Sequence, residues 1–172
     1  MTGPHPHTEQ VRAQATHPIR CGILTISDTR TVETDTSGAE IRAALEQAGH
    51  SIVRYEVIRD EPEQIVAMVR EYAAAGCQVI ITSGGTGIAR RDGTIEAIDA
   101  LLQKRLPGFG ELFRMLSYAD IGPAAMLSRA VAGVYQATLI FCLPGSRGAV
   151  QLGMEKLIVP ELTHLVWEMT RQ

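Results

Sequence analysis

The sequence lacks several features that would direct it to common functional classes. It has three cysteines, Cys21, Cys77 and Cys142, and no Cys-x-x-Cys pair among them, so the signature of a zinc knuckle or a dithiol redox site is missing. Each cysteine lies in or beside an apolar run, where a thiol behaves as a small buried hydrophobe. No apolar run reaches the ~18 residues of a membrane span. The opening stretch MTGPHPHTEQVRAQATHPIR has no apolar h-region of a secretory signal, and the expectation is a reduced, cytoplasmic protein. Neither sign of charge dominates. A formal net charge of −3 leaves no basic footprint for nucleic acid. There is no internal repeat and no low-complexity block.

What remains is the composition of an ordinary globular chain, 45 % hydrophobic and 20 % charged over 172 residues, a length that fits one domain with a sizeable core. Residues 1–18, with Pro4, Pro6, Pro18 and few hydrophobes, read as a loose tail that folding does not need. His5 and His7 fall within it, so a metal pair there is disfavoured. The domain is expected over residues 19–172.

Apolar and β-branched residues in IRCGILTIS (19–27), SIVRYEVI (51–58) and QVIIT (78–82) predict three buried strands. Between them lie helical patterns. Ser37 with Glu40 has the spacing of a capping box, followed by Ile41, Ala44, Leu45 and Ala48 on one face and Gly49 as a stop. A second helix starts around Asp60–Glu63, with Ile65, Met68, Val69, Tyr72 and Ala73 on its apolar side and Gly76 at its end. Ile95, Ile98, Leu101 and Leu102 mark a short helix, broken by Pro107 and Gly108, after which FGELFRMLSYA forms another. AVAGVY and TLIFCL are two more strands around a tight turn at Gln136. The last helical region runs from about Ala149 to Met169, interrupted or kinked at Pro160. Alternating strands and helices of this length predict an α/β fold: a three-layer α/β/α sandwich on a mostly parallel sheet.

In such sheets ligands bind beyond the carboxyl ends of the strands. The stretch ITSGGTGIARRDGT (81–94) leaves the third strand there, with three glycines in four positions. Glycine lets backbone approach a ligand closely, and successive N–H groups can cradle phosphate oxygens. The loop lacks the Gly-Lys-Ser/Thr ending of a P-loop, and Arg90 occupies the third glycine position of a dinucleotide fingerprint. A plain strand-to-helix turn therefore remains open beside the phosphate-loop reading. Asp92 next to Arg90 and Arg91 tilts the balance, because a carboxylate can hold a metal and an arginine can clamp phosphate.

TSGGTGIARRDGT resembles the signature of the MoaB/MogA family of molybdenum-cofactor biosynthesis proteins, which includes the molybdopterin-binding domain of gephyrin. LTISDTR (24–30), DTSG (35–38), LPGFGELFRMLS (106–117), LSRAVAGV (127–134) and LPGSRGAV (143–150) resemble it in the same order. DTSG, FRMLS, SRAVAGV and PGS are most similar to the MoaB branch; IARRDGT resembles the Arg-Arg-Asp pattern of the family's active members, with Gly93 where the active branch more often has a β-branched residue.

The resemblance implies a molybdopterin-binding fold and adenylyl transfer, in which ATP and molybdopterin as substrates, with Mg2+, give adenylyl-molybdopterin and pyrophosphate. It implies that Asp92 and Asp60 are the catalytic and metal-holding acids. Ser83, Gly84, Gly85, Thr86, Gly87, Arg91 and Thr94 form the first binding loop, and Pro144, Gly145 and Ser146 the second. Ser128 and Arg129 are matched to the pterin phosphate, although a surface ion pair would also account for Arg129, and Glu111 is the polar residue of the FGELFRML helix placed to line the site. Ser27 and Asp28 either contact ligand or start the turn after the first strand. Asp60 and Asp92 each have a second reading as a helix N-cap. The implied assembly is a homotrimer or homohexamer, with the molybdenum-insertion protein of the pathway as a partner. The alternative is a molybdopterin-binding or scaffold protein without catalysis.

Overall fold

The computed structural model describes residues 17–171; His5, His7 and nearly all of the predicted tail lie outside them. The elements are β1 (Arg20–Ile26), α1 (Thr36–Gln47), β2 (Ser51–Ile58), α2 (Pro62–Ala74), β3 (Val79–Ser83), α3 (Thr94–Leu101), β4 (Lys104–Arg105), α4 (Pro107–Ile121), β5 (Val131–Tyr135), β6 (Thr138–Leu143), α5 (Arg147–Gly153) and α6 (Val159–Thr170). Six strands form one sheet in the order β2-β1-β3-β6-β5-β4. β2, β1, β3 and β6 run parallel, and β5 and β4 close one edge antiparallel. The order reverses at β1: the chain goes outward to β2 and then returns past β1 to β3. That switch point opens a crevice at the carboxyl edge.

Side chains alternate across the central strands and feed two cores, which accounts for the three layers. Cys21, Ile23, Val79, Ile81, Leu139, Phe141 and Leu143 point to one face, where Ile41 and Leu45 of α1, Phe113 of α4 and Leu162 of α6 cover them. Leu24, Ile26, Ile80, Ile140 and Cys142 point to the other, under Ile65, Val69 and Tyr72 of α2 and Ile98 of α3. Parallel strands covered on both sides have no polar face, hence their continuous apolar runs. All three cysteines are buried, and burial pushes the Cys21 and Cys142 thiols up to about 12. They are inert packing groups. No helix among the described residues is long and apolar enough to cross a membrane.

Four local expectations are corrected. The cap of α1 is Asp35, whose carboxylate accepts from the Gly38 N–H at 3.0 Å; Ser37 lies inside the helix and Glu40 pairs with Arg147. Pro107 does not break a helix but opens α4, where its missing N–H costs nothing. The preceding helix ends at Leu101, and the chain then pairs as the two-residue strand β4, too short and too exposed to leave a periodic signal. The last helical region is interrupted by a wider, π-type turn at Met154–Ile158, before Pro160, which sits in the first turn of α6. A proline ring collides with the carbonyl four residues back in a regular helix, and the wider turn relieves that clash. The turn at Gln136 is as expected: its φ is 53°, and its N–H donates to Gln103 Oε1 at 2.9 Å.

Phe113 is fully buried on the α4 face and stacks on Phe109 at 6.3 Å between centroids; Phe109 meets Phe141 edge-on at 5.2 Å. Phe113→Ala is expected to lower the stability by about 3–5 kcal/mol, read as a shift of the urea unfolding midpoint at unchanged slope.

Candidate functional site

At the carboxyl edge the ends of β1, β3 and β6 meet almost backbone to backbone. Gly84 N–H donates to the Leu143 carbonyl at 3.0 Å, tying the exit of β3 to that of β6. Gly84 has φ 102°, and a Cβ there would overlap the Ile26 carbonyl oxygen; a Cβ on Gly145 would lie 3.1 Å from the Gly84 Cα. Only glycine fits this contact. Gly85, at φ 63°, turns the chain so that its carbonyl accepts from the Thr94 N–H at 3.1 Å, bringing the start of α3 back under the loop.

Thr94 is fully buried and donates through Oγ1 to Asp60 Oδ1 at 3.3 Å. Asp60, which follows β2, is itself nearly buried at 9 % exposure. Burial pushes its carboxyl above the usual range. Hydrogen bonds from the Gly93 backbone and the Thr94 hydroxyl offset part of that push, while the negative charges of Asp92 and Asp28 add to it. Three carboxylates from three different strand exits therefore share one negative field, with Asp60 deepest. Asp60 does not cap α2: the cap position is Glu61, without a side-chain bond. Nor does Asp92 cap α3. Its Oδ2 accepts from the Ala89 N–H at 2.8 Å and closes the 89–92 turn, and Gly93 holds the cap position.

Arg91 reaches from that turn to Asp28 at 3.2 Å and to Glu61 at 3.4 Å, bridging the segments after β1 and β2. Ser83 and Thr86 are buried; Ser83 Oγ lies 3.4 Å from Thr25 Oγ1, so Ser83 supports the loop from below. Ser27 starts the turn after β1 by accepting from the Arg30 N–H at 3.2 Å. Ser128, Pro144 and Ser146 line a common groove beside Gly145. Two predicted residues have other partners or another place. Arg129 forms the ion pair with Glu96 and donates to the Gly87 carbonyl at 2.8 Å, bracing the glycine loop. Glu111 lines a different groove, with Asp99, Arg105 and Arg114, and does not join the others.

The family model described as "Probable molybdopterin binding domain" matches residues 22–164. Molybdenum cofactor biosynthesis protein B of Bacillus anthracis is 52 % identical over 163 residues, covering 94 % of this chain and 96 % of that protein. The chain belongs to the MoaB/MogA family. Among solved structures, a Molybdenum cofactor biosynthesis protein B superposes with a TM-score of 0.88 at 52 % identity, covering 92 % of this chain and 100 % of that one. The tungsten cofactor synthesizing protein MoaB from Pyrococcus furiosus superposes at 0.84 with 36 % identity, covering 91 % and 100 %.

Against the MoaB/MogA resemblance, reading the sequence missed the residues that hold the second loop. Arg30 donates to Ser37 Oγ at 3.2 Å, to the Gly145 carbonyl at 3.4 Å and to Asp35 Oδ1 at 3.5 Å. Ser37 Oγ donates to the same Gly145 carbonyl at 2.9 Å, and Tyr55 donates to Asp35 Oδ2 at 2.8 Å. Burial and the Asp35 carboxylate raise the Tyr55 phenol above its usual range, keeping it a donor. The signal was the presence of Arg30 in LTISDTR and of Asp35 and Ser37 in DTSG.

Gly84→Ala is expected to cost roughly 2–4 kcal/mol, since the new methyl meets backbone that has no rotamer to change and the φ is strained for alanine. A thermal melt reports it; a variant as stable as the parent would show that the strand ends are not in this contact.

Proposed function

We propose that this protein acts in molybdenum-cofactor biosynthesis as a molybdopterin adenylyltransferase. A phosphate oxygen of molybdopterin attacks the α-phosphorus of ATP, the bond to the bridging oxygen breaks, and pyrophosphate leaves. The observation that carries this reading is the convergence of Asp60, Asp92 and Asp28 on a glycine loop that touches the Pro144–Ser146 loop. Phosphoryl-type transfers depend on positioning and charge stabilisation more than on covalent chemistry; the glycine loop suits the first, and the acids suit the second through a cation that they would hold against the phosphates. The glycine loop offers backbone at close range to a polyphosphate, and Arg91 pairs with Asp28 beside it.

The residues present fit a magnesium ion. Among the described residues no group of three or more His, Cys, Asp or Glu forms a ready metal cage, but magnesium is commonly held by one or two carboxylates together with substrate phosphates. Asp60, strained by burial and by its acidic neighbours, would hold it with Asp92, and the ion would neutralise charge on the ATP phosphates. Asp60 also keeps Thr94 and the start of α3 under the loop through its hydrogen bond.

One observation favours the reading without catalysis: the Asp92 carboxylate already serves the Ala89 N–H. One pair of variants separates the two. Asparagine can keep that hydrogen bond while losing the charge. Asp92→Asn and Asp60→Asn are each expected to lower pyrophosphate release, with saturating ATP, magnesium and molybdopterin, by about 10²–10³, equivalent to ~3–4 kcal/mol of transition-state stabilisation. A folded Asp92→Asn with parental turnover would limit Asp92 to shaping the loop. A parent protein that binds molybdopterin without releasing pyrophosphate would leave the binding function alone.

The proposal includes a homotrimer or homohexamer. Leu112, Met115 and Tyr118, 47–63 % exposed, line one side of α4, close to an apolar groove bounded by Phe109, Leu157 and Leu165; an apolar surface of this kind suits a subunit contact. Light scattering at micromolar concentration is expected to give at least three times the chain mass of 18.7 kDa, and Met115→Glu is expected to lower that mass.

A further inference from the structure

We infer that Asp120 recognises the 2-amino-4-oxo edge of a pterin ring and so determines substrate specificity, an inference that rests on the molybdopterin reading above. A groove of about 270 Å³ lies between the end of α4, the residues that follow it and the start of α5. Ser128, Pro144 and Ser146 line it, and the last two flank Gly145, which packs on Gly84 of the glycine loop. Ile121, Leu127 and Leu152 provide apolar wall, the surface that the faces of a flat heterocycle require. Ser117, Asp120 and Ile121 reach the groove from one face of the last turn of α4, at the i, i+3, i+4 spacing, and Ala124 reaches it from the 3-10 turn that follows Gly122.

Asp120 is the one charged side chain lining this groove. It also lines the neighbouring groove, which Gly148, Gln151 and Leu152 of α5 line with Glu155 and Lys156, whereas Ser146, next to the Gly145 that packs on Gly84, lines the first groove only. This charge distribution orients a ligand. A phosphate beside Asp120 would meet like charge, whereas the N3–H and 2-amino group of a pterin are adjacent donors that a carboxylate accepts in parallel, in the manner of an arginine–carboxylate fork. With the ring edge on Asp120, the substituent that carries the phosphate extends toward Ser146 and the glycine loop. A ring lacking the 2-amino donor would leave the carboxylate without its second partner, which is how a polar site rejects a close analogue.

The test is fluorescence titration of the full chain with pterin and with lumazine, in which a 2-oxo group replaces the 2-amino group. The parent protein is expected to bind pterin at least about 10-fold more tightly. Asp120→Asn is expected to weaken pterin binding on the order of 10- to 100-fold, to remove the preference over lumazine and to leave the melting curve unchanged, because Asp120 is exposed. Asp120→Glu is expected to restore the preference at least in part. Retention of the parental preference by Asp120→Asn overturns the assignment. Equal binding of both compounds by the parent protein also overturns it but leaves the pterin reading standing. Binding of neither overturns both.

Discussion

Everything at the carboxyl edge of this sheet depends on one close approach, that of Gly84 to the exits of β1 and β6. Its N–H is bonded to Leu143, and the space a side chain would need is filled by the Ile26 carbonyl and by Gly145. Because three strand exits touch as bare backbone, the loops they launch start within a few ångströms of one another. The glycine loop, the Pro144–Ser146 loop and the Ser27–Arg30 turn therefore have little freedom to move independently. Packing of this kind has the stiffness of a close-packed interior, and it converts a sheet topology into a site.

The electrostatics run against stability. Asp60 is almost buried, in the field of Asp92 and Asp28, and its carboxyl is held above the usual range. A folded-state pKa raised above the unfolded one means that the ionised group weakens folding at pH above both values, and that this loss is recovered as pH falls through the folded value. Such a group is hard to explain by stability alone. It is the arrangement expected where a cation or a developing charge is to be met, and natural proteins accept a stability loss at such places.

The second loop is held by a different device. Asp35 caps α1 and, in the same position, gathers Arg30 and Tyr55. Arg30 and Ser37 both donate to the Gly145 carbonyl. This buried acid is fully partnered, unlike Asp60, and buried polar groups that are satisfied rigidify their surroundings. Asp35 is thus held by an arginine and a tyrosine, whereas Asp60 has only Thr94 and the Gly93 backbone against its acidic neighbours, although both sit at the same sheet edge. The glycine loop has its own brace in the ion pair of Arg129 with Glu96, together with the bond to Gly87.

By itself the sequence determined what depends on local periodicity and on residue type. The apolar runs specified the buried strands, since only a covered sheet has no polar face, and the spacing of Ile41 and Leu45 or of Ile65, Val69 and Tyr72 specified helices with one apolar side. The motif order placed the chain in its family. Tertiary structure alone decided which oxygen accepts from which donor. Ser37 and Glu40 have the spacing of a capping box, yet Asp35 lies closer to the free N–H groups, and Ser37 is engaged by a carbonyl 108 residues away. Asp60 and Asp92 look like caps for the same local reason, but they are drawn to Thr94 and to Ala89. Glu111 and Arg129 have the right residue types and lie near the right motifs, and packing still directs one into another groove and the other into an ion pair. Distances across the sheet depend on strand order, and strand order is a property of the whole chain that no short stretch encodes.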